Sequence, residues 1–517
     1  MSESNPVVAE GARPAGAQPA GDDHPVEVVT AGGLVVETAG VDVIAESERT
    51  GKPSSLFWPW CAGNISIMAV SWGGYVLGFG LSWVQALLIT GFGVLGSFLL
   101  VGVTALAGPK GSAPTLVLSR ASFGVRGNVL PVLVSWLLLV GWEISLLSVA
   151  SLASRTVFER LIPGSGTSAA ILALIFCAGI SIFLGVLGFK AIMRAQVWLT
   201  LATLVLTIVF IALTIGDLDW GTVVSSQHGS TTAVVGALVM LLAGFGVSWT
   251  NCAADYSRYL PRTTSRKGIV AWTSIGGALP VILLAGYGVV LCASDDHLMD
   301  AVAKDPVGAL TGLVPTWFLV PFALIALLGL ICGIIIDIYS SGLTLVASGI
   351  PISRPVAAGI DGVVMVLGAI YVVWAAPNFL IPFQGFLITV GVLLAAWSGI
   401  FLADLTLRRR HYNEAKLFNP DAPAGYGRVR WSSVLVMLLA GFVGYGLVTN
   451  TGASWLEWQG YLLGPLGGKD GDWAFANLGV LVALAIGFAG YWITNARTVR
   501  AQEAQEIEDE RKIVEVG

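Results

Sequence analysis

The sequence is poor in charged residues, which make up only 11% of its 517 positions. Soluble domains carry about 25% charged residues, because a globule needs them to cover its surface. Histidine is equally scarce, and no H-E-x-x-H or G-x-S-x-G pattern occurs. The scarcity of charge excludes a soluble globule, and the missing motifs argue against a membrane enzyme with a metal centre or an activated nucleophile.

Cysteine is also too sparse to define a framework, since the five cysteines stand singly within apolar stretches. They predict neither a disulfide set nor a metal set. Hydrophobic residues, by contrast, make up 55% of the chain, and glycine occurs 64 times. Helices in lipid associate through close backbone approach at small residues. The composition therefore predicts a tightly packed all-α integral membrane protein.

Twelve apolar windows are long enough to cross a bilayer, which takes about 20 residues. We refer to them as spans one to twelve; they lie near residues 56–80, 84–107, 129–152, 168–189, 195–216, 233–254, 269–293, 316–347, 356–375, 378–404, 432–450 and 474–495. Residues 1–50 are polar, lack a signal peptide and are predicted to be a disordered cytoplasmic tail. Residues 498–517 are mostly charged and are predicted to be a second cytoplasmic tail, or a short exposed helix.

The distribution of basic residues sets the expected orientation. With a cytoplasmic N-terminus, 23 of the 27 Lys and Arg residues fall in inner segments. Outer loops carry acids instead, such as Asp295, Asp296, Asp470 and Asp472. This bias follows the positive-inside rule and predicts a multi-pass protein of the cell inner (plasma) membrane with both termini in the cytoplasm.

Spans one and six contain residues that weaken a helix in mid-membrane. Span one includes Trp58-Pro59-Trp60-Cys61-Ala62-Gly63-Asn64, and span six includes Gly244-Phe245-Gly246-Val247-Ser248-Trp249-Thr250-Asn251. Interrupted spans at corresponding places in two halves indicate a transporter binding site. Their spacing predicts a five-plus-five inverted repeat over residues 51–216 and 217–407, with residues 408–497 adding a cytoplasmic loop and helices eleven and twelve. Glycines that merely pack ordinary helices remain the alternative.

Two carboxyl groups lie well inside spans. Glu143 belongs to span three and Asp337 to span eight. A carboxyl in mid-membrane normally faces a cavity or a partner and marks a substrate or proton path. Both are candidates for proton coupling, although a simple hydrogen bond to a neighbouring helix is the alternative. Asp361 and Asp404 lie closer to helix ends and are interpreted as structural.

Two longer motifs resemble those of the nucleobase:cation symporter-1 family, in its purine–cytosine permease branch. The loop after span two reads PKGSAPTLVLSRASFGVRGN over residues 109–128, and span six ends in Ala254-Asp255-Tyr256-Ser257-Arg258-Tyr259-Leu260-Pro261, similar to the family's DYSRY-P signature. Span eight ends in Ile-Tyr-Ser-Ser at 338–341, similar to the N-I-Y-S of fungal members. The resemblance covers residues 50–495. It implies a LeuT-like fold in which rocking of one helix bundle gives alternating access.

The resemblance also implies a site for a flat heterocycle between spans one, three, six, eight and ten. It places Trp142 as the stacking ring, while Leu146 stands where some members have an amide and Gly246 where some have a second Trp. We expect a further group of residues to bind substrate: Phe245, Ser248, Asp337, Asn64, Gly63, Gly246 and Gln384. Asn378 and Gln384 begin span ten and face the expected cavity, and a helix-end role is the alternative for both. Asp255, Tyr256, Arg258 and Arg120 belong to the family motifs, with an expected role in structure or gating.

The expected function is secondary import of a nucleobase, cytosine or a purine, by cation symport. Sodium sites of this fold use hydroxyls of span eight, but residues 328–333 contain none, so H⁺ is favoured over Na⁺. No cofactor, metal or nucleic acid is expected, and a monomer in the bilayer suffices. Transport of uracil, hydantoin, allantoin or a vitamin with Na⁺ remains the alternative, as do a channel-like facilitator and a sensor.

Overall fold

The computed structural model describes residues 28–31, 34–37, 40–225, 227–376 and 379–516. Within these ranges, ten helices are long and apolar enough to cross a membrane. Two shorter apolar helices, Met68–Leu77 and Trp431–Gly446, occupy the places of spans one and eleven. The structure is therefore that of a multi-pass helical membrane protein, and it is compatible with the predicted twelve spans.

Ten of the spans are single continuous helices. Spans two to five are Trp83–Thr104, Val129–Leu161, Gly166–Leu187 and Phe189–Thr214; spans seven to ten are Arg266–Ala293, Leu319–Ala347, Arg354–Trp374 and Leu380–Leu407; spans eleven and twelve are Trp431–Gly446 and Gly479–Val516.

Spans one and six are each divided. Span one consists of Phe57–Asn64 and Met68–Leu77, and span six runs through Thr231–Leu242, a π-helical turn Ala243–Val247, a 3₁₀ turn Thr250–Cys252 and a last helix Ala253–Ser257.

Short elements connect the spans. The N-terminal part contains an antiparallel hairpin of Val28–Ala31 and Leu34–Glu37. The principal helices in the loops are Ala107–Gly111, Thr115–Leu118, Arg120–Phe123, Trp220–Val224, Asp296–Lys304 and Glu414–Phe418.

Span two illustrates how the sequence produces these helices. Ser82 accepts a hydrogen bond from the backbone N–H of Gln85, whose side chain accepts from the N–H of Ser82, and this capping box starts the helix. Leu88, Phe92 and Leu99 are exposed on one face, at helical spacing. Large apolar side chains directed outward match a lipid environment, because lipid tails solvate them as well as a protein core does.

Glycines allow the spans to approach each other closely. A methyl group at Gly73 of span one would lie 2.2 Å from the carbonyl carbon of Gly288 in span seven. A methyl group at Gly246 of span six would lie 2.0 Å from the carbonyl oxygen of Ser97 in span two. Neither distance is tolerable, so the backbones can meet there only at glycine.

The segment 40–50 differs from the predicted disordered tail. The N–H of Ile44 donates to the Ser112 carbonyl at 2.8 Å, and the Ile44 side chain is buried. Arg49 donates to the Ile44 carbonyl and to the Glu414 carboxylate. These contacts are mainly backbone hydrogen bonds and ion pairs to loops, which an apolar-window search does not detect. Residues 1–27, 32–33 and 38–39 of the predicted tail lie outside the described residues.

The C-terminal segment also differs from a free tail. Span twelve continues as one helix to Val516, beyond residue 498, where the tail was expected to begin. Its extension packs on the loop after span ten through the ion pairs Arg410–Glu510 and Lys416–Glu506. The alternative interpretation of this segment as a helix therefore describes it better.

Candidate functional site

The break in span one lies between Asn64 and Met68. Its first helix ends with the Asn64 amide donating to the Trp60 carbonyl at 2.8 Å, so this side chain terminates the helix. A methyl group at Gly63 would lie 2.8 Å from Ile336 Cδ1 of span eight. Asn64 therefore bonds within its own helix at the break, and Gly63 leaves room for the close approach of span eight.

The break in span six has the same character. The Ser248 hydroxyl donates to the carbonyl of Ala243 within the π-helical turn, and the N–H of Gly246 donates to Ser97 Oγ of span two at 3.0 Å. Turns of this type recur at functional sites, since they displace backbone groups from the regular ladder. Here Ser248 bonds to a backbone carbonyl of the break itself. Gly246 donates its N–H to span two and allows the two backbones to approach closely.

Aromatic rings from four spans meet between the two breaks. The ring of Trp142 in span three meets Phe383 of span ten edge-on, at a centroid distance of 5.1 Å. Phe383 in turn contacts Trp72 of span one at 6.1 Å, and Trp72 lies 4.5 Å from Phe245 of span six. We call Trp72, Trp142, Phe245 and Phe383 the aromatic cluster. The predicted Trp142 and Phe245 both belong to it, separated by Trp72 and Phe383.

The predicted carboxyls lie on spans three and eight, and Glu143 directly follows Trp142 of the aromatic cluster in the sequence. Glu143 is fully buried, and its Oε1 accepts from Ser341 of span eight at 2.7 Å. Asp337 lies one helical turn before Ser341 and is 1% exposed. Among the described residues, the buried Asp337 Oδ2 has no hydrogen-bond partner.

Asp361 lies in the same group, although its position in the sequence indicated a structural role. Its Oδ2 lies 2.9 Å from the same Ser341 Oγ, and its Oδ1 accepts from Trp136 Nε1 at 2.6 Å. Asp404, by contrast, forms an ion pair with Arg408 at 2.9 Å. Only Asp361 of these two acids is brought into contact with the candidate site.

The family-motif residues join the loops at the opposite end of span six. Asp255 accepts hydrogen bonds from the Thr115 N–H and hydroxyl, and the Tyr256 hydroxyl donates to the Ile336 carbonyl at 3.1 Å. Arg258 donates to the Gly40 carbonyl and to the Tyr339 hydroxyl. Arg120 donates to the Ala347 carbonyl at the end of span eight. These four residues therefore fasten spans six and eight to the loops and to the N-terminal segment.

A cavity of about 650 Å³ opens at the end of the bundle that carries the loops after spans five, seven and eleven. Gln384 and Tyr75 line it, and Tyr75 contacts Trp72 of the aromatic cluster at 5.7 Å. Gln384 also lines a second cavity of about 180 Å³. Gln384 is the predicted substrate residue that faces these two cavities, and Asn378 lies outside the described residues.

Span eight contacts the break of span one within residues 328–333, the stretch that contains no hydroxyl. A methyl group at Gly329 would lie 3.0 Å from the Ile65 carbonyl oxygen and from Ser66 Cα. One turn further, the Cys332 carbonyl accepts from Gln196 Nε2 of span five at 2.9 Å. The Gln196 side-chain amide of span five is thus hydrogen-bonded to a backbone carbonyl within residues 328–333, which contain no hydroxyl.

Sequence reasoning missed Trp72, Phe383, Ser341 and Asp361. Trp72 and Phe383 are each one of several aromatic residues in spans already assigned to the site, and a search for rings near the breaks would have found Trp72. Asp361 is a carboxyl in an apolar span, as Glu143 is. The same criterion of an intramembrane acid would have identified it.

Comparison with known sequences gives a consistent result. The profile of the family described as permease for cytosine/purines, uracil, thiamine and allantoin matches residues 43–427. YxlA of Bacillus subtilis is 24% identical over 478 residues, covering 89% of this chain and 96% of YxlA. The purine-cytosine permease FCY2 of Saccharomyces cerevisiae is 25% identical over 497 residues, covering 88% of this chain and 87% of FCY2.

Solved structures with the same fold are transporters. Mhp1, a nucleobase-cation-symport-1 family transporter in a closed conformation with bromovinylhydantoin bound, aligns with a TM-score of 0.65 at 18% identity, covering 90% of this chain and 98% of Mhp1. A Na⁺-coupled sialic acid symporter in a substrate-bound outward-open state aligns with a TM-score of 0.54 at 13% identity, covering 87% of this chain and 91% of that one. The predicted all-α, LeuT-like fold class is confirmed.

Proposed function

The chain belongs to the nucleobase:cation symporter-1 family of permeases for cytosine/purines, uracil, thiamine and allantoin, and on that premise we propose that it imports a nucleobase, cytosine or a purine, together with protons. It is a transporter and not an enzyme. The observation that carries the choice of substrate is the aromatic cluster, which joins the two broken spans to spans three and ten; Asp337 of span eight adds a buried carboxyl with an unpartnered oxygen.

The chemistry of a nucleobase suits this surrounding. A base has two π-faces, and stacking on an aromatic side chain contributes about 1–3 kcal/mol per base. Trp142 supplies the stacking face. Because Phe383 contacts the Trp142 ring edge-on, a base enters this space when the Phe383 ring turns aside.

Discrimination between bases rests on the polar edge. A buried polar group rejects a ligand that leaves it unpaired. The Asp337 carboxylate accepts hydrogen bonds, so it favours an exocyclic amino group and a ring N–H, as in cytosine, adenine and guanine. Gln384 lines the entry cavity and is placed to meet the same ligand on its way to the aromatic cluster.

Protons are the proposed coupling ion. Na⁺ prefers hard oxygen ligands, and residues 328–333 of span eight supply no hydroxyl. The Cys332 carbonyl is engaged by Gln196, and Gly329 packs directly on the span-one break. The buried carboxyl Glu143 is the proposed proton carrier; Asp337, the second candidate for proton coupling, is assigned here to the substrate edge.

In the proposed topology, the large cavity faces outward and both termini lie in the cytoplasm of the plasma membrane. The support is the concentration of Lys and Arg in the loops at the end opposite the cavity. Labelling of a single introduced cysteine at Ala303, which lines the cavity, by an impermeant reagent from outside intact cells tests this orientation. A cysteine in the 408–430 loop, labelled only after the cells are opened, is the matched control.

Uptake of radiolabelled cytosine into cells lacking their own nucleobase carriers tests the function. We expect concentrative uptake that collapses with a protonophore, competes with purines and falls at least fivefold in Trp142→Ala when cytosine is well below KM, since stacking contributes about 1–3 kcal/mol. Uptake that requires Na⁺ and ignores pH would replace H⁺ by Na⁺ in the proposal. Uptake that never exceeds the external concentration would favour a channel-like facilitator.

A further inference from the structure

Ser341 of span eight lies between two carboxyl groups from different spans. Its Oγ is 2.7 Å from Glu143 Oε1 of span three and 2.9 Å from Asp361 Oδ2 of span nine. Its third neighbour is the Ile338 carbonyl of its own helix, at 3.3 Å. Glu143, Ser341 and Asp361 are all fully buried.

A hydroxyl has one hydrogen, so Ser341 can donate to only one of the two carboxyls at a time. The other carboxyl makes a favourable contact at this distance only when it is protonated and donates to Ser341 Oγ. With one bound proton, the hydrogen bonds form a chain that can reverse, Glu143 donating to Ser341 and Ser341 to Asp361, or the opposite. With two bound protons, both carboxyls donate to Ser341, whose hydrogen then turns to the Ile338 carbonyl.

The second oxygen of Glu143 also indicates that this carboxyl binds a proton. Glu143 Oε2 has no hydrogen-bond partner among the described residues. A charged carboxylate would leave that oxygen unpaired in a buried place, whereas a protonated carboxyl carries no such charge. Asp361 is better provided, because Trp136 Nε1 donates to its other oxygen at 2.6 Å.

The ionisable groups named below do not supply a cation that pairs with Glu143 or Asp361. Span eight contributes Asp337, one turn from Ser341, and span four carries no ionisable residue except Cys177. On span nine, Arg354 directs its guanidinium to the Gly185 and Val186 carbonyls and lies over the Tyr339 ring. Asp404 of span ten pairs with Arg408.

We propose that Glu143, Ser341 and Asp361 form a proton-loading site that alternates between one and two bound protons during transport. Loading forms one carboxyl O–H bond with a proton from the outer solution, and release breaks it toward the cytoplasm. Glu143 directly follows Trp142, and Asp337 lies one turn before Ser341, so the helices that hold the proton also carry the ring and carboxyl of the substrate site. This inference rests on the proposed proton symport and assigns it to named groups.

The first experiment needs no substrate. Infrared difference spectra of the purified protein between acidic and alkaline buffer report the C=O stretch of protonated carboxyl groups. We expect a band that is lost in Glu143→Gln, is lost or displaced in Asp361→Asn, and changes frequency in Ser341→Ala, where its hydrogen bond is missing. Ser148→Ala is the matched control, because the Ser148 hydroxyl donates only to the Ile144 carbonyl of its own helix.

The second experiment separates coupling from transport in proteoliposomes. We expect Glu143→Gln and Asp361→Asn to retain exchange of internal for external labelled cytosine, and to lose at least tenfold of the accumulation driven by a pH gradient. Ser148→Ala accumulates as the unchanged protein does. If a carboxamide variant fails to fold, Ser341→Ala and Ser341→Cys are subjected to the same two measurements.

The outcomes distinguish this site from the proposed substrate. An unchanged infrared band in all variants overturns the proton-loading site, whatever is transported. Undiminished gradient-driven accumulation in Glu143→Gln and Asp361→Asn overturns it as well. Absence of cytosine transport by the unchanged protein contradicts the proposed substrate alone, and an infrared band that depends on Glu143, Asp361 and Ser341 still supports the proton site.

Discussion

Asp255 binds Thr115 through both its backbone N–H, at 2.8 Å, and its hydroxyl, at 2.9 Å, with a single carboxylate oxygen accepting both hydrogen bonds. The two residues belong to the two motifs that identify the chain, one at the end of span six and the other in the loop after span two. Thr115 begins the short loop helix Thr115–Leu118, so Asp255 supplies an acceptor for its first N–H group. The two motifs therefore fold against each other through this contact.

Removal of this carboxylate should destabilise the protein without a direct effect on the substrate site. Hydrogen bonds to charged groups contribute about 1.5–3 kcal/mol each, and Asp255→Ala leaves the buried Thr115 N–H unpaired. We expect a lower midpoint of thermal unfolding in detergent for Asp255→Ala, and a smaller loss for Asp255→Asn, which keeps an oxygen acceptor.

Asp219→Ala is the control for this prediction. Asp219 also accepts backbone N–H groups at the start of a short helix, but it is exposed to solvent and water can replace it. Equal midpoints for Asp255→Ala and the unchanged protein would show that the contact between the motifs contributes little to stability.

Replacement of Trp142 should weaken transport through substrate binding. Loss of about 1–3 kcal/mol of stacking corresponds to an increase of about 5- to 150-fold in KM for Trp142→Ala. Trp142→Phe keeps a π-face, so its KM should lie between those of the unchanged protein and Trp142→Ala. Initial rates of cytosine uptake, normalised to the amount of protein in the membrane, give the comparison.

Trp198→Ala of span five provides a matched loss of a tryptophan. The Trp198 side chain is 71% exposed on the outer surface of the bundle, away from the aromatic cluster. Its uptake kinetics should remain those of the unchanged protein. The same KM in Trp142→Ala and Trp198→Ala would remove Trp142 from the substrate site.

The spans, the two breaks and part of the site could be predicted from the sequence, because each depends on local composition. Apolar windows of about 20 residues reveal spans, and Gly63-Asn64 together with Gly244 and Gly246 mark backbone that departs from a regular helix. Trp142 and Glu143 of span three were likewise recognisable as candidates, because an aromatic ring and a carboxyl lie side by side in mid-span.

The remainder depends on packing between distant parts of the chain. Glu143 and Asp361 are brought to one hydroxyl by the approach of span nine to span three, where a methyl group at Gly368 would lie 2.4 Å from Ile144 Cδ1. Position along span nine alone suggested a helix-end role for Asp361. The docking of Ile44 and Arg49 is equally non-local, since their partners lie in loops after spans two and ten.

Substitution of Asp337 should change which bases are transported. The carboxylate only accepts hydrogen bonds, whereas the carboxamide of Asp337→Asn also donates. We expect the ratio of kcat/KM for cytosine over uracil to fall by about tenfold or more, since a mispaired buried polar group costs about 1–3 kcal/mol. Asp337→Leu should lose transport of both cytosine and uracil. A ratio unchanged by Asp337→Asn would exclude edge recognition by this carboxyl.

Enlargement of Gly329 should disturb the contact between span eight and the span-one break. A methyl group there meets the Ile65 carbonyl oxygen and Ser66 Cα at 3.0 Å, so the neighbouring backbone must shift by a few tenths of an ångström. Overpacking of this kind costs about 1–3 kcal/mol. We expect Gly329→Ala to slow uptake several-fold at saturating cytosine if the transport cycle moves span one against span eight at this contact.

Gly359→Ala is the matched control, since Gly359 also lies within a spanning helix but has open space where its methyl group would stand. A Gly-to-Ala change in an exposed helical position is neutral or stabilising. Comparable uptake rates in Gly329→Ala and Gly359→Ala would mean that the break tolerates the shift. The interface of spans one and eight would then not be a moving contact of the transport cycle.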